Sequence, residues 1–158
     1  MNLSKKIFAY IKITRPLNVL ITFLVVVVAI LISQNEQIDL YTILLASIAA
    51  SLVAAAGNIV NDIYDIESDK ISHPDRVLVL GTLNKTEVKL EYIILNFISA
   101  IISINLSQTL FAIVFISALL LFIYSAYLKK IPLIGNISIA LLTGLAFIYG
   151  GFASGNPV

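Results

Sequence analysis

The sequence predicts an all-α protein that crosses a membrane several times, and three observations support this prediction. The 158 residues are 59% apolar and 12% charged, with a mean hydropathy of +1.02, so they cannot cover a soluble domain of this size with polar surface. Uncharged stretches close to the roughly 20 residues that span a hydrocarbon core recur along the chain. All 10 lysines and arginines fall on one side when the chain is threaded through these stretches. The predicted architecture is a polytopic transmembrane helix bundle.

About five transmembrane helices are predicted, one for each uncharged stretch. They lie near residues 17–33, 40–60, 88–106, 109–128 and 133–153. The third is the least apolar, because its first turn carries Lys89 and Glu91. Small residues crowd the second and fifth stretches, which predicts that these two helices lie inside the bundle rather than against lipid.

The flanks of these helices predict how the chain sits in the membrane. Residues 3–15 alternate apolar and basic side chains and are predicted to form a helix in the interface. The positive-inside rule places the N-terminus and an Asp-rich loop at 61–87 on the cytoplasmic side, whereas Glu36 and Asp39 lie opposite. The chain has no repeat or linker, so residues 1–158 are predicted to be one domain or part of one. Without cysteine, disulfides and thiolate chemistry are excluded.

The segment that follows the second helix carries the chemistry. If that helix continues to Ser68, five amide and carboxylate side chains share one of its faces: Asn58, Asn61, Asp62, Asp65 and Asp69. Like charges four residues apart repel, and a helix C-terminus disfavours anions. A bound cation would offset these energetic penalties. The alternative is that the segment is simply a polar loop in water. His73, beside Pro74, is predicted to be a solvated turn residue.

The ligand atoms that this segment offers indicate which cation it would bind. Oxygen ligands without His or Cys favour Mg²⁺ or Ca²⁺, and the spacing of an EF-hand loop is absent. Mg²⁺ keeps waters and prefers one or two carboxylates together with substrate phosphates. Arg76, Lys129 and Lys130 belong to the same membrane face and would suit such phosphates.

Three parts of the sequence resemble one known family. The pattern Asn61-Asp62-x-x-Asp65-x-x-x-Asp69, followed by Pro74-Asp75-Arg76, resembles the first Asp-rich motif of the UbiA superfamily of intramembrane prenyltransferases. Residues 13–18 are similar to the opening of that family's first helix, and residues 124–136 to its turn between the fourth and fifth helices. Within the family, the sequences of these motifs are most similar to those of archaeal-type geranylgeranylglyceryl phosphate geranylgeranyltransferases.

The resemblance implies Mg²⁺-dependent transfer of a prenyl group from a prenyl diphosphate to a lipid or aromatic acceptor. It implies metal ligation by Asn61, Asp62, Asp65 and Asp69, with Asp65 and Asp69 as the catalytic pair. It implies diphosphate binding by Asn61, Arg76, Lys129, Lys130, Arg15 and Asn18. Tyr124 and Tyr127 are candidates to stabilise an allylic cation. Acceptor identity and prenyl length stay open, and a nucleic-acid partner is not expected.

The chain also departs from the family pattern. Residues 77–81 replace a Pro-x-Pro-Ser-Gly stretch, so this loop is expected to differ in geometry from that of the family. The family has about nine helices and a second Asp-rich motif beyond the fifth, so these 158 residues resemble its N-terminal half. The expectation is an incomplete domain that is inactive alone and is either a truncated product or dependent on a second chain.

Two other functions compete with this one. A CDP-alcohol phosphotransferase would need Asp-Gly and Ala-Arg pairs close behind the first aspartates, where this chain has Ile66 and Glu67. A non-enzymatic membrane component, such as a transporter half or a degenerate prenyltransferase, is the alternative from another class. A transporter is expected to carry polar residues at mid-membrane, whereas the acidic cluster here lies at the surface.

Overall fold

A computed structural model of the chain describes residues 3–33 and 39–155, so Glu36 and the ends of the predicted 1–158 domain lie outside the described residues. The described residues form six α-helices and a short 3₁₀ turn, with no strand among them. The elements are α1 (Leu3–Ile13), α2 (Pro16–Ser33), α3 (Leu40–Ser72), α4 (Lys85–Leu106), α5 (Gln108–Ala126), the turn Leu128–Lys130 and α6 (Pro132–Ala153). The all-α prediction is confirmed, and α2 to α6 follow the five predicted helices.

Four of the described helices are long and apolar enough to cross a membrane: α2, α3, α5 and α6. α4 is not among them, and its first two turns carry four charged residues. The chain is therefore a multi-pass membrane protein. All its lysines and arginines lie at one end of the bundle. They are on α1, at the junction of α1 and α2, near the C-terminal end of α3, in the connection to α4, in the first turns of α4 and in the turn between α5 and α6. This end of the bundle is called the basic side below.

α3 is the central helix. Within its apolar window, 56% of residues are buried inside the bundle, compared with 17–22% for α2, α5 and α6. The prediction for the second helix is thus confirmed, but the one for the fifth is wrong. The glycines of α6 are not all at helix contacts, because a Cβ at Gly144 would meet nothing within 4 Å.

The predicted loop at 61–87 is much shorter in the structure. Residues 61–72 continue α3, which begins at a cap where the Thr42 amide donates to Asp39 Oδ1 at 2.7 Å. At 33 residues, α3 is about 50 Å long, so it projects well beyond a hydrocarbon core of about 30 Å. Asn84 and Glu87 form a reciprocal capping box that starts α4, which leaves residues 73–84 as the connection.

α1 packs on the basic side of the bundle and exposes an apolar face. Ala9 and Ile13 join a buried cluster with residues of α3, of the 73–84 connection and of α4. Lys6 forms an ion pair with Glu87, and this contact lowers the pKa of the Glu87 carboxyl. Four large apolar side chains of α1 are exposed: Leu3, Ile7, Phe8 and Ile11.

A close contact between α2 and α6 gives a prediction about stability. A Cβ at Gly150 would lie 2.5 Å from Ala29 Cβ and 3.2 Å from the backbone of α2. We expect Gly150→Ala to lower the free energy of unfolding by about 1–3 kcal/mol, because backbone atoms must move. Urea or thermal unfolding in nanodiscs measures the change. The matched control is Gly144→Ala, where the same methyl group meets open space; equal losses in both variants would contradict the prediction.

Candidate functional site

Arg15 reaches the bundle from the junction between α1 and α2. Its backbone is left-handed, with a φ of 54°, a conformation that is uncommon for a residue with a side chain. The Arg15 amide donates to the Lys12 carbonyl at 3.1 Å, and the Arg15 carbonyl accepts from the Asn18 amide at 2.9 Å. This tight turn aims the guanidinium at α3, where Nη2 donates to Asp62 Oδ1 at 2.5 Å.

Arg76 joins two buried carboxylates of α3. Asp62 and Asp69 are 5% and 4% exposed. Arg76 Nη1 donates to Asp62 Oδ1 at 3.2 Å and also to Asp69 Oδ2. His73, at the C-terminal cap of α3, places Nδ1 3.6 Å from Asp69 Oδ1. Two arginines therefore converge on Asp62, and both carboxylates hold cationic groups at the mouth of the bundle.

Lys129 makes a second group with Asn61 and Asp65. Its Nζ donates to Asp65 Oδ1 at 2.5 Å and to Asn61 Oδ1 at 3.3 Å. Asn61 Nδ2 in turn donates to Asp65 Oδ2 at 2.9 Å, across one turn of α3. The Lys129 side chain is only 13% exposed, so the 3₁₀ turn directs it inward rather than into solvent.

A cavity of about 430 Å³ opens between α2, α3, α5 and α6. Most of its polar lining lies toward the basic side and includes Arg15, Asn18, Asn58, Asn61 and Tyr124. Further from that side the lining is largely apolar, with residues such as Val53, Val114, Leu142 and Ala146. The cavity is therefore amphipathic, with an ionic mouth and an apolar body.

Most of the site residues predicted from sequence come together here. The ionic mouth consists of Arg15, Asn61, Asp62, Asp65, Asp69, Arg76 and Lys129. Of these, Arg15 and Asn61 line the cavity itself, together with Asn18. Lys130 is exposed and has no ion pair within the described residues. Tyr124 lines the cavity, whereas the Tyr127 side chain is 68% exposed and does not.

The four predicted metal ligands divide into two pairs. Asp62 and Asp69 contact arginine, whereas Asn61 and Asp65 contact the ammonium of Lys129. Within residues 3–33 and 39–155, no three Asp, Glu or His side chains are placed to hold a metal ion by themselves. Asn61 Oδ1 and Asp65 Oδ1 nevertheless meet at one cation, as two oxygen ligands of Mg²⁺ would. The donor set therefore fits Mg²⁺ if phosphate oxygens and water complete the coordination.

Sequence reasoning missed several polar residues inside the cavity. Thr22 lies one turn from Asn18 on α2, and Ser125 lies next to Tyr124 on α5; both line the cavity. The Ser125 hydroxyl is buried without a hydrogen-bond partner among the described residues. The i, i+4 spacing of Asn18 and Thr22 in an otherwise apolar helix is a signal that could have identified Thr22.

Comparison with known proteins agrees with this architecture. The model of the UbiA prenyltransferase family matches residues 19–158. Digeranylgeranylglyceryl phosphate synthase from Methanoculleus marisnigri is 35% identical over 93% of this chain and 52% of its own length. The enzyme of the same name from Thermococcus kodakarensis is 37% identical over 93% of this chain and 53% of its own length. The chain thus spans about half the length of these curated relatives.

Two solved structures have the same fold. One concerns digeranylgeranylglyceryl phosphate synthase in membranes and matches with a TM-score of 0.90 and 35% identity, over 94% of this chain and 53% of that one. The other, a UbiA homologue from Archaeoglobus fulgidus bound to DMAPP and Mg²⁺, matches with a TM-score of 0.86 and 22% identity, over 94% and 55%. The family match, the relatives and the helix arrangement together establish that this chain belongs to the UbiA prenyltransferase family.

Proposed function

We propose that this chain forms the diphosphate-binding part of a Mg²⁺-dependent prenyltransferase, which moves a prenyl group from its diphosphate to an acceptor. The observation that carries the proposal is the amphipathic cavity, in which Arg15 and Asn61 connect the ionic mouth to a largely apolar body. A prenyl diphosphate has the same division between a charged head and an apolar tail. The relatives named digeranylgeranylglyceryl phosphate synthase favour a glycerol phosphate lipid as the acceptor over an aromatic ring.

The ionic mouth would hold the head group. Asn61 and Asp65 would ligate Mg²⁺, and Lys129 would leave them to contact a diphosphate oxygen. Arg15 and Arg76 would donate to the other oxygens, positioned by Asp62 and Asp69, while Asn18 and Lys130 would border the site. When bound, Mg²⁺ supplies positive charge that stabilises the leaving diphosphate. Asp69 joins the metal ligands in this proposal only if Arg76 moves to the diphosphate.

The residues beyond the mouth would control the reacting carbon. Breaking the allylic C–O bond leaves positive charge on the prenyl group and negative charge on the diphosphate, which the cationic side chains stabilise. The largely apolar lining excludes water, which would otherwise capture the cation. The ring of Tyr124 lies in the lining near the mouth, where an aromatic face can stabilise a cation.

The same proposal orients the chain. The basic side would face the cytoplasm by the positive-inside rule, with α1 lying in the membrane interface. The exposed apolar face of α1 supports this placement, because Ile7, Phe8 and Ile11 would otherwise face water. In that position α1 would hold Arg15 at the level of the phosphate groups.

The experiment separates binding from turnover. We expect the purified 158-residue chain in nanodiscs to bind a prenyl diphosphate in a Mg²⁺-dependent way but not to transfer it, because the family's second Asp-rich motif is not among these residues. Isothermal titration with and without Mg²⁺ measures binding, and transfer of a radiolabelled prenyl group to a glycerol phosphate lipid measures turnover.

Each result of that experiment has a clear meaning. Robust turnover by these 158 residues would contradict the expected need for further helices. Absence of binding with and without Mg²⁺ would contradict the proposed function and favour a degenerate, non-enzymatic membrane protein. Inorganic pyrophosphate is the matched control ligand, because it has the head group without the tail and is expected to bind more weakly.

A further inference from the structure

Tyr149 lines the apolar end of the cavity. Among the described residues of α6, Tyr149 is the furthest along the helix that lines the cavity, and it is 2% exposed. It lies seventeen residues after Pro132, or about 25 Å from the basic end of α6 at 1.5 Å per residue. The ring therefore lies at the far end of the cavity from the ionic mouth.

Behind Tyr149 the bundle is filled. The buried cluster that contains Tyr149 also includes residues that are absent from the cavity lining: Val26, Ile30, Ala46, Leu110 and Ala153. The adjacent contact of Gly150 with Ala29 brings α2 and α6 together beside this cluster. Tyr149 thus belongs both to the cavity lining and to a buried cluster that extends beyond it.

The Tyr149 ring is held in place. Its hydroxyl shares a hydrogen bond of 3.3 Å with the hydroxyl of Ser103, which is fully buried on α4. A buried phenol held at both its ring and its hydroxyl has few alternative rotamers, because the surrounding core is close-packed. The ring should therefore resist displacement by a longer ligand.

We propose that Tyr149 is the floor of the prenyl-binding cavity and sets the longest prenyl tail that this chain accepts. The proposal rests on the proposed function, since it takes the tail to run from the ionic mouth toward Tyr149. On α3 the lining runs from Asn61 to Ala50, eleven residues or about 16 Å. A tail that is longer than this depth must fold back, leave between helices or push against Tyr149.

Two substitutions test the floor in opposite directions. Tyr149→Ala removes the ring and deepens the cavity. Ala146→Leu adds bulk one turn closer to the mouth, at a residue that also lines the cavity. The second variant removes no core side chain, so it keeps the test decisive if Tyr149→Ala does not fold. Tyr149→Phe is the matched control for the ring, and Ile148→Ala, on the exposed side of α6, is the control for lost bulk.

The experiment measures binding of a length series to the full chain in nanodiscs with Mg²⁺. The ligands are the non-hydrolysable thiolodiphosphates of geranyl, farnesyl, geranylgeranyl and hexaprenyl alcohols. We expect Tyr149→Ala to improve hexaprenyl binding relative to farnesyl by about tenfold, and Ala146→Leu to weaken geranylgeranyl binding relative to geranyl by about tenfold. Both control variants should keep the length profile of the unsubstituted chain.

The outcomes distinguish this inference from the function on which it rests. If no thiolodiphosphate binds to the unsubstituted chain, the proposed function fails. If all bind but the length profile is the same in Ala146→Leu and in every folded Tyr149 variant, the tail leaves between the helices and the floor proposal alone is overturned. A shifted profile in Tyr149→Phe would also overturn it, because the hydroxyl rather than the ring would then set the length.

Discussion

Replacing Asp65 by asparagine is expected to lower the Mg²⁺-dependent affinity for a prenyl diphosphate by about 10- to 150-fold, since losing one charged ligand interaction costs about 1.5–3 kcal/mol. Asp65 contacts both Lys129 and Asn61, so a neutral side chain of the same size keeps the local shape and removes the charge. Titration of the variant in nanodiscs with and without Mg²⁺ measures the effect. Without Mg²⁺ the loss should vanish, because the missing carboxylate no longer repels the diphosphate.

The matched control is Glu67→Gln. Glu67 is a carboxylate two residues further along α3, but it is exposed and pairs with Lys70. Its neutralisation should change affinity less than about threefold, as expected for a solvent-exposed ion pair. Equal losses in the two variants, or a loss at Asp65 that is the same without Mg²⁺, would show that net charge rather than metal ligation matters.

The helix bundle could be predicted from sequence because each helix has its own local signal. The uncharged stretches predict α2, α4, α5, α6 and the start of α3 within a few residues, since length and apolarity alone decide whether a helix can cross a hydrocarbon core. The extent of α3 beyond the membrane was not fixed by those signals. Asp62, Asp65 and Asp69 each disfavour a helix locally, and the ion pairs with Arg15, Arg76 and Lys129 that offset them join distant parts of the chain.

The residues of the site could be predicted from the sequence more fully than the ion pairs that they form with one another. Helical spacing predicted that Asn61, Asp62, Asp65 and Asp69 share a face, and the cationic residues were selected by topology and resemblance. The separation into an arginine group and a lysine group depends on where each cation enters the bundle. Arg15 enters from a left-handed residue, a conformation that its side chain and the following proline both disfavour, so no propensity could have predicted it.

The cavity itself was beyond sequence reasoning. Its floor depends on the contact between Tyr149 on α6 and Ser103 on α4, residues 46 positions apart. Nothing local distinguishes the buried Tyr149 from the exposed Phe147, because both are aromatic residues in the same apolar run. Helix packing decides which of them reaches the interior, and packing is a property of the whole bundle.

Replacing Arg76 by alanine should destabilise the fold more than any other single change at the mouth. Asp62 and Asp69 would remain buried, and Asp69 would lose its guanidinium partner. Removing one member of a buried ion pair is strongly unfavourable; here we expect about 2–3 kcal/mol, since the Arg76 side chain is 21% exposed. Chemical unfolding in nanodiscs, monitored by circular dichroism, measures the loss.

A double-mutant cycle tests whether that loss of stability comes from a buried carboxylate that has lost its cationic partner. Asp69→Asn introduced with Arg76→Ala should restore about 1–2 kcal/mol, because the neutral amide no longer needs a cation. Lys70→Ala, which breaks the exposed pair with Glu67, should cost less than about 1 kcal/mol. Additive effects of Arg76→Ala and Asp69→Asn would mean that Arg76 stabilises the 73–84 connection through its packing rather than through its ion pair with Asp69. The cycle therefore decides whether Arg76 and Asp69 stabilise the fold as a coupled pair.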